Sequence, residues 1–359
     1  MLVSNEFRPD PRVMKEARSL ARGGHYVQVY AWDREGSGLP EEQVIDGIRI
    51  RRFRIPSQYG SGLSQLPQYI KTYQLIVSSV TECYDVIHCH DIDFLPLGIR
   101  LQRIFSAALI CDLHEFYSLC GSKPVRFANI IVEKQLLPKV SGIIYISETQ
   151  KEYYHMPYIP SIVLPNYPEK SLFEGYRCDR ARQALTVGYI GSVRYAEDLF
   201  RLIDACSLLG GMRVLIAGAG VKATEVRHYA SKFSFVEVSG PFTYPETPRL
   251  YQKVDVVYAV YSSNNPHDQV QYAMPVKVWE ALCTGKPVIV AKGTHVGEFI
   301  SRAHAGIAVD PTIEDISVAL KAIGEEYDYY ASAARTLGMS YTWEVIEGNL
   351  LSFYRSFEQ

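Results

Sequence analysis

The sequence predicts an α/β protein with two doubly wound domains in tandem, and three features of its 359 residues lead to that prediction. Apolar runs typical of parallel strands buried on both faces alternate with amphipathic runs of 3.6-residue period. A segment with repeated prolines, residues 156–184, interrupts this alternation. The same alternation then starts again, which favours two domains with a substrate cleft between them.

The first half contains six runs that predict strands, which are LVSN, HYVQVYAW, GIRIRRFRI, DVIHCH, AALICDL and SGIIYIS. Runs such as PRVMKEARSLARGG and LPLGIRLQRIF have the helical period and lie between most of these strands. The paired glycines Gly23 and Gly24 suit the C-terminus of a helix directly before a strand. We therefore expect an N-terminal domain over residues 1–166.

The second half repeats the pattern with the strand candidates LTVGYIG, MRVLIAGAG, FSFVEVSG, VDVVYAVY, KPVIVAKG and GIAVD. Helical periods lie between them, and one helix is predicted over residues 312–338. These elements predict a C-terminal domain over residues 167–339. An amphipathic segment, YTWEVIEGNLLSFYRSF, closes the sequence.

Composition limits the function classes. A formal net charge of −2 at pH 7 gives no reason to expect a nucleic-acid partner. The seven cysteines are scattered and never form CxxC, which favours a reducing, cytoplasmic compartment. No apolar run reaches the roughly 18–20 residues that cross a bilayer, and no signal-peptide pattern opens the sequence, so we expect any membrane contact to be peripheral.

The stretch MPVKVWEALCTGKPVIVA predicts a helix with a phosphate site at its start. Pro275 fits the first helical position, and Gly285 fits the C-terminal cap. Lys277 and Glu280 are three residues apart and share one face near the helix N-terminus. Free N–H groups and the lysine can hold a phosphate, while the glutamate can accept hydrogen bonds from a ribose diol. The alternative is a surface salt bridge between these two side chains.

The stretch VGYIGSVRYAEDL predicts a strand that turns into a helix at a glycine. Gly191 and Ser192 end the strand, and Arg194 comes before a helix that begins near Ala196. A glycine at this place lets a ligand approach the backbone, and an arginine can reach a diphosphate. The alternative is an ordinary glycine turn with no ligand.

Together these motifs resemble those of the retaining glycosyltransferases of family 4. The stretches occur in the order seen in those enzymes: DPRVMKEARSLARGGHYVQVYAW, DVIHCHD, CDLHEFYS, VGYIGSVRY, VSGPFTYPETPRLYQKVDVVYAVY and MPVKVWEALCTGKPVIVA. The PxKxxE helix followed by GKPVI is the most specific of them. The resemblance covers nearly the whole sequence and implies a GT-B type fold, in which two Rossmann-like domains face a central cleft. It also implies that the nucleotide-sugar donor binds the C-terminal domain and that residues 340–359 cross back onto the N-terminal domain.

The resemblance also implies which residues form the site. Arg194 and Lys277 correspond to the pair that neutralises the donor diphosphate, and Glu280 to the glutamate that accepts the ribose hydroxyls. His114, in DLHE, corresponds to the histidine that touches the donor sugar near the bond being broken. Further donor contacts are expected from Gly191 and Ser192, from the backbone around Met274, Pro275 and Val276, and, for the base, from Phe242 and Tyr244.

One position departs from the family pattern. Many relatives carry a glutamate eight positions before the one that corresponds to Glu280, and this sequence has Tyr272 there. Because that carboxylate is missing, the identity of the transferred sugar stays open. A non-catalytic nucleotide-sugar-binding protein is therefore one alternative.

The stretch DVIHCHDIDFLP contains two histidines that share one side of the predicted strand, as in the HxH metal pair of some hydrolases. We expect no metal here, since polar residues collect at the carboxyl ends of parallel strands in any doubly wound domain. We expect His90 and Asp91 on the acceptor side and His88 as a satisfied, partly buried histidine. A metal-dependent hydrolase is the alternative.

Two further runs carry charge. The run RIRRFR is expected to be a solvated edge strand, and the alternative is a contact with a phosphate-bearing acceptor or an anionic membrane surface. The run VRFANIIVEKQLLPK predicts a helix, and we expect the core to use most of its apolar face.

The sequence thus predicts a cytoplasmic retaining glycosyltransferase, with at most peripheral contact at the inner membrane face. It would move a hexose or N-acetylhexosamine from a nucleotide-diphosphate donor to a glycan or lipid-linked acceptor, and a UDP-sugar is favoured over GDP-mannose. No cofactor or metal is expected to be obligatory, since the nucleotide sugar is the co-substrate. A nucleotide-sugar epimerase of the same fold is the remaining alternative.

Overall fold

The computed structural model describes residues 1–8, 10–58, 62–175, 184–262 and 269–357. Their contacts divide the chain into two compact units. The N-terminal unit consists of Met1–Asn166 and Ile346–Gln359, and the C-terminal unit consists of Tyr167–Val345. Residues 176–183, which form part of the proline-containing junction expected from the sequence, lie outside the described residues.

The N-terminal unit is built on a sheet of eight described strands. These are β1 (Leu2–Val3), β2 (Gln28–Asp33), β3 (Glu42–Ile45), β4 (Ile48–Arg54), β5 (Val86–His90), β6 (Ala108–Leu113), β7 (Gly142–Tyr145) and β8 (Ser161–Val163). Their order is β3-β4-β2-β1-β5-β6-β7-β8, and all neighbours are parallel except β3 and β4. The chain winds outward from β1 in both directions, so the point at which its direction reverses lies between β1 and β5.

Helices cover this sheet because the inner strands are apolar on both faces. The described helices are α1 (Pro11–Arg22), α2 (Leu66–Ser79), α3 (Leu95–Phe105), α4 (Lys123–Leu136) and α5 (Glu148–Tyr154). The carboxylate of Asp10 caps α1 by accepting from the N–H groups of Arg12 and Val13. Gly23 caps its other end, and Gly24 takes a φ of 93° that leads the chain towards β2.

The C-terminal unit has a fully parallel sheet among its described residues. Its strands are β9 (Thr186–Ile190), β10 (Arg213–Ala217), β11 (Val236–Gly240), β12 (Val256–Ala259), β13 (Val288–Ala291) and β14 (Gly306–Val309), in the order β11-β10-β9-β12-β13-β14. The chain direction reverses between β9 and β12, and ligands of open α/β sheets bind outside the carboxyl ends of the strands at such a point.

The remaining described helices surround that sheet and end the chain. They are α6 (Lys170–Phe173), α7 (Ala196–Leu209), α8 (Ala223–Ala230), α9 (Thr247–Gln252), α10 (Val276–Cys283), α11 (His295–Ala303), α12 (Ile313–Glu325), α13 (Tyr327–Gly338) and α14 (Trp343–Arg355). The later residues of α14 pack in the N-terminal unit, where Tyr354 lies 2.6 Å from His88. The single helix predicted over 312–338 is wrong, since it is broken at Glu326 into α12 and α13.

The interpretation of the first charged run is wrong, and that of the second holds in part. The run RIRRFR is not an edge strand, because β4 lies between β3 and β2. Its Arg52 is buried and donates to the carbonyl oxygens of Glu6, Phe7 and Pro40, so it binds the protein's own backbone. The core uses part of the apolar face of α4, since Val132 and Leu136 are half-buried against it, while Phe127 and Ile131 stay exposed. Among the described residues, no helix is long and apolar enough to cross a membrane.

Candidate functional site

The donor site expected from the sequence lies at the reversal point of the C-terminal sheet. Gly191 follows β9 directly and has a φ of 136°, a conformation that L side chains rarely adopt. A Cβ at this position would lie 3.2 Å from both Cε and Nζ of Lys277, which is a tight contact. Glycine therefore leaves space for a lysine that extends across from α10.

Lys277 is a buried cation held by aromatic rings. Its side chain is 7 % exposed, and Nζ lies 3.4 Å from the ring centroid of Tyr189 and 5.4 Å from that of Tyr261. Among the described residues, this Nζ has no hydrogen-bond partner. Burial lowers the pKa of Lys277 to about 7, and the charge on Glu280 offsets only part of that effect. The aromatic faces stabilise the charge, but they leave its hydrogen-bond donors unused.

Glu280 lies on the same helix and is held in place by a tyrosine. The hydroxyl of Tyr251 lies 2.9 Å from Oε2 of Glu280 and 3.1 Å from the carbonyl oxygen of Lys277. Both Lys277 and Glu280 are buried, which excludes the alternative of a surface salt bridge between them. The carboxylate is thus oriented before any ligand binds.

The other residues that are predicted to bind the nucleotide-sugar donor differ in their exposure to solvent. Arg194 is exposed, and its Nε lies 3.2 Å from Oγ of Ser192. Phe242 is half-buried against the core of the unit. The buried hydroxyl of Tyr244 has no partner among the described residues, and burial together with the charge on Glu280 raises the pKa of Tyr244. The structure therefore places a second unused donor near Glu280.

The start of α10 provides backbone donors. Pro275 is the N-cap and the helix begins at Val276, so the prediction that Pro275 occupies the first helical position is wrong by one residue. Among the described residues, no side chain caps the first turn, and Met274 and Val276 are half-buried beside it. Gly285, with a φ of 68°, follows the last turn as expected.

The N-terminal unit contains a buried ion pair next to its own reversal point. The guanidinium of Arg12, on α1, binds both carboxylate oxygens of Asp112 at the end of β6, at 2.7 and 2.8 Å. Its remaining NH1 donates to the carbonyl oxygen of Leu164 at 2.8 Å. Burial alone would raise the pKa of Asp112, but the charges on Arg12 and His114 lower it well below its usual value.

His114 lies between two carboxylates. Its Nε2 is 2.7 Å from Oδ2 of Asp112, its Nδ1 is 3.5 Å from Oδ2 of Asp91, and its backbone N–H donates to Oδ1 of Asp91. Burial would lower the pKa of His114, but the charges on Asp91 and Asp112 raise it to about 9. The ring is therefore an imidazolium at neutral pH.

The histidines of the HCHD stretch take different positions from one another. The ring of His90 is 2 % exposed, and its Nδ1 lies 3.3 Å from both Asp112 and His114. The side chain of Asp91 is 24 % exposed, and burial raises the pKa of this carboxyl to about 6. The expectation of a partly buried His88 is wrong, since the ring is fully buried. Its Nδ1 lies 2.6 Å from the hydroxyl of Tyr354, while its Nε2 has no hydrogen-bond partner among the described residues and lies 3.8 Å from Glu16.

Four buried side chains in this unit could each offer an atom to a metal ion. The atoms of Glu16, His88, His90 and Asp112 lie within 4.8 Å of one another. However, the guanidinium of Arg12 already provides the positive charge, at 2.7 Å from Asp112 and 3.2 Å from Glu16. The rings of His88 and His90 also stack on each other, with centroids 4.3 Å apart and 23° between their planes. The absence of a metal stays a prediction.

The residues that surround the predicted ones were not predicted from the sequence. Tyr189 comes two residues before Gly191, so the two-residue period of a strand already indicates that it lies on the same side of the chain. Asp112 comes two residues before His114, so the same period indicates that these two side chains lie on the same side. Arg12 gave no comparable signal, because a charged residue on an amphipathic helix is ordinarily exposed.

Comparison with known proteins identifies the two halves of the chain. Residues 9–166 match the family described as glycosyl transferase 4-like domain, and residues 184–325 match glycosyl transferases group 1. The chain thus contains a glycosyl transferase 4-like domain followed by a glycosyl transferases group 1 domain.

Relatives and solved structures extend the similarity over nearly the whole chain. An uncharacterized glycosyltransferase of Methanocaldococcus jannaschii is 24 % identical over 94 % of this chain and 92 % of its own. The chitobiosyldiphosphodolichol beta-mannosyltransferase of Yarrowia lipolytica is 22 % identical over 88 % of this chain and 76 % of its own. Sucrose-phosphate synthase from Thermosynechococcus elongatus has a TM-score of 0.79 at 16 % identity, covering 99 % and 98 % of the two chains.

The structure of Anabaena HepE in complex with UDP and glucose has a TM-score of 0.72 at 17 % identity. The match covers 99 % of this chain and 98 % of HepE. At these identities the structural similarity shows the fold. The fold is therefore GT-B, with two Rossmann-like domains, as the motifs implied.

Proposed function

We propose that this protein is a retaining glycosyltransferase of family 4. It moves a hexose or N-acetylhexosamine from a nucleotide-diphosphate donor to a glycan or lipid-linked acceptor. The observation that carries the proposal is Lys277, a buried cation with no hydrogen-bond partner among the described residues, at the reversal point of the C-terminal sheet. A buried charge is costly unless it is paired, and a diphosphate is the anion that would pair it.

Three groups around Lys277 fit the parts of a nucleotide sugar. We assign the second phosphate to the guanidinium of Arg194, which is exposed and lies two residues beyond Ser192. The uncapped first turn of α10 offers N–H groups to the phosphates or the sugar. Glu280, already oriented by Tyr251, accepts hydrogen bonds from the ribose hydroxyls.

The chemistry follows from these charges. Breaking the bond between the sugar and the diphosphate places negative charge on the leaving phosphate oxygen, and fixed cations and N–H groups stabilise that charge by several kcal/mol. The departing oxygen can take the proton of the attacking hydroxyl on the same face, which retains the anomeric configuration. No step of this reaction requires a metal or another cofactor, and we propose that none is obligatory.

The choice of UDP rests on a neighbour. Anabaena HepE has been solved with UDP-glucose, and this favours a UDP-sugar over GDP-mannose. The name of the Yarrowia relative describes mannosyl transfer to a chitobiosyl diphosphodolichol, which is a lipid-linked acceptor. A lipid-linked acceptor would bring this protein to a membrane surface.

The outer face of α4 supports such peripheral contact. Glu133 points inward, where it accepts from the N–H of Ser118 and the hydroxyl of Tyr154, while Phe127 is 66 % exposed and Ile131 is also exposed. The exposed charges on α4 are basic, as at Lys123. An apolar and basic helix face is the combination that binds anionic lipid surfaces.

Vesicle co-sedimentation tests this contact. We expect binding to vesicles that contain anionic lipid, and reduced binding after Phe127→Ser combined with Ile131→Ser. Val318→Ser, at an exposed apolar position of α12, is the control and should bind as the wild type does. Equal binding by all three proteins would reject α4 as the contact.

A thermal-shift panel and a transfer assay test the main proposal. We expect at least one of UDP, GDP and their sugars to raise the melting temperature, because a ligand that binds only the folded state raises the free energy of unfolding by RT ln(1+[L]/Kd). Lys277→Ala and Glu280→Ala should each weaken the binding of that ligand. Lys292 is an exposed lysine paired with Asp310, and Lys292→Ala should leave the binding unchanged. Unchanged binding in both site variants would place the donor elsewhere.

The assay also separates the alternatives. A transferase consumes donor only when an acceptor is present, apart from slow hydrolysis. An epimerase changes the sugar of the nucleotide sugar with no acceptor, and a non-catalytic binding protein shows the thermal shift without turnover. Activity lost on addition of a chelator would instead favour a metal-dependent enzyme.

A further inference from the structure

The buried charges around His114 balance one another within the N-terminal unit. Arg12 and His114 are positive, and Asp112 and Asp91 are negative, so the four groups sum to zero. Burial and the nearby charge of Asp112 raise the pKa of Glu16 well above its usual value, which favours its neutral form. The four charged groups are thus paired with one another within the unit.

Its members differ in their access to solvent. Arg12, Asp112 and Glu16 are fully buried, whereas the side chains of His114 and Asp91 are 19 % and 24 % exposed. The chain of contacts thus runs from the interior outwards, from Arg12 through Asp112 to Nε2 of His114. Its outer end is the pair formed by Nδ1 of His114 and Asp91.

We propose that Arg12 and Asp112 are positioning residues, which fix the ring orientation of His114 and hold both of its N–H groups in place. This inference rests on the proposed function, together with the role near the donor sugar that the family resemblance implies for His114. The guanidinium binds both oxygens of Asp112, which prevents the carboxylate from rotating. The 2.7 Å contact from Asp112 to Nε2 then sets the ring, and Nδ1 faces the exposed edge beside Asp91.

The consequence for transfer is a fixed positive donor. An imidazolium whose orientation is set in advance can present its positive charge to an oxygen near the breaking bond without reorganising during the reaction. A neutral histidine, or one free to rotate, would lose part of this stabilisation. The loss would affect kcat more than the KM for the donor, because the nucleotide binds the C-terminal unit.

Other titratable groups face the cluster and must be considered in any pH measurement. They are Asp10 before α1, Glu16 on α1, His88 and His90 on β5, Asp93 after β5, Tyr117 after β6, and Tyr354 on α14. Burial lowers the pKa of His88 and His90, so both rings stay neutral. A resonance assigned to His114 therefore reports a charge change that these two rings do not share.

The test is the NMR titration of the His114 ring in the full-length protein, combined with transfer kinetics. In the wild type the ring should stay protonated up to about pH 9. In Asp112→Asn the titration should move down by at least about one pH unit. The kcat of this variant should fall by about 10-fold or more, with the donor KM changed by less than about 3-fold.

Arg12→Lys is the second variant, and Arg52→Lys is its matched control. Arg12→Lys keeps the charge but loses the two-point contact, so the titration should stay within about one unit while kcat falls at least about 3-fold. Arg52 is equally buried, but it binds three backbone carbonyl oxygens and does not contact His114. Arg52→Lys should therefore change neither the His114 titration nor kcat. If Asp112→Asn does not fold, this pair decides the question.

Two results would overturn the inference. One is an unchanged His114 titration in Asp112→Asn, and the other is a loss of kcat in Arg12→Lys no larger than in Arg52→Lys. The titration needs no substrate, so it tests the positioning even if the proposed reaction is wrong. A wild-type protein that turns over no nucleotide sugar would reject the proposed function and leave the titration result standing.

Discussion

Each unit buries a cation next to its reversal point, and the two cations differ in their hydrogen-bond partners. In the N-terminal unit, Arg12 binds both oxygens of Asp112 and a backbone carbonyl. In the C-terminal unit, Lys277 faces two aromatic rings and has no hydrogen-bond partner among the described residues. The first cation is complete without a ligand. The second becomes complete only when an anion binds, and this difference distinguishes a positioning cluster from a binding site.

The largest expected effect of this difference is on stability. Arg12→Met should destabilise the protein by about 3–5 kcal/mol, because it leaves the charge of Asp112 buried and unpaired. Lys277→Met should leave the stability unchanged or raise it, since it removes a buried charge that has no partner. Thermal and urea unfolding of the two variants, with Lys292→Met as an exposed control, would measure both.

Equal destabilisation by Arg12→Met and Lys277→Met would contradict the comparison. It would mean that Lys277 has a compensating partner in the free protein. Destabilisation by neither would mean that the charge of Asp112 is met by water after the substitution.

The second expected effect is an opposite pH dependence of the two units. The pKa of His114 is raised to about 9, so its contribution is complete below about pH 6.5 and is lost as the pH rises through 9. The pKa of Lys277 is lowered to about 7, so its burial destabilises the folded state fully below pH 7, and this destabilisation decreases as the pH rises from 7 towards the ordinary lysine pKa of 10.5. Between pH 7 and 9 the N-terminal unit should lose stability while the C-terminal unit gains it.

Hydrogen exchange measured by mass spectrometry resolves the two units by their peptides. His114→Gln should flatten the pH dependence of the N-terminal unit only, and Lys277→Met that of the C-terminal unit only. Parallel pH dependence in both units would show that neither group dominates the linkage.

A smaller effect is expected from the glycine that makes room for Lys277. Gly191→Ala would place a Cβ 3.2 Å from the lysine's Cε and Nζ, and the φ of 136° adds backbone strain. We expect donor binding to weaken by about 10-fold, from displacement of the amine by a few tenths of an ångström. Gly211→Ala is the control, because it has a φ of 67° and nothing within 4 Å. Equal losses in binding would attribute the effect to strain alone.

The fold was largely predictable, and parts of the sites were not, for physical reasons. Alternating apolar and amphipathic runs gave both parallel sheets, because strands covered on both faces must be apolar throughout. They did not give β3, whose residues are mostly exposed, nor β8, which lies in the segment with repeated prolines. The break between α12 and α13 was missed because Glu326 differs in no way from an ordinary exposed helical residue.

The sites were predictable where one local segment supplies them. Lys277 and Glu280 share a helix, and Gly191, Ser192 and Arg194 share a turn, so spacing and glycine chemistry were enough. The aromatic partners of Lys277 come from β9 and from the end of β12, and only the strand order makes these neighbours. Arg12 and Asp112 are 100 residues apart, a pairing that no local pattern contains.

The most direct test of the account is whether binding of a nucleotide sugar protonates Lys277. Titration calorimetry of a UDP-sugar at pH 8, in two buffers of different ionisation enthalpy, measures proton uptake, and the diphosphate of the ligand does not titrate in this range. With a pKa of about 7 in the free protein, the wild type should take up about one proton on binding, and its affinity should fall as the pH rises above 7. Lys277→Met should bind at least about 10-fold more weakly and take up none. Binding of equal strength in both proteins, without proton uptake, would contradict the account.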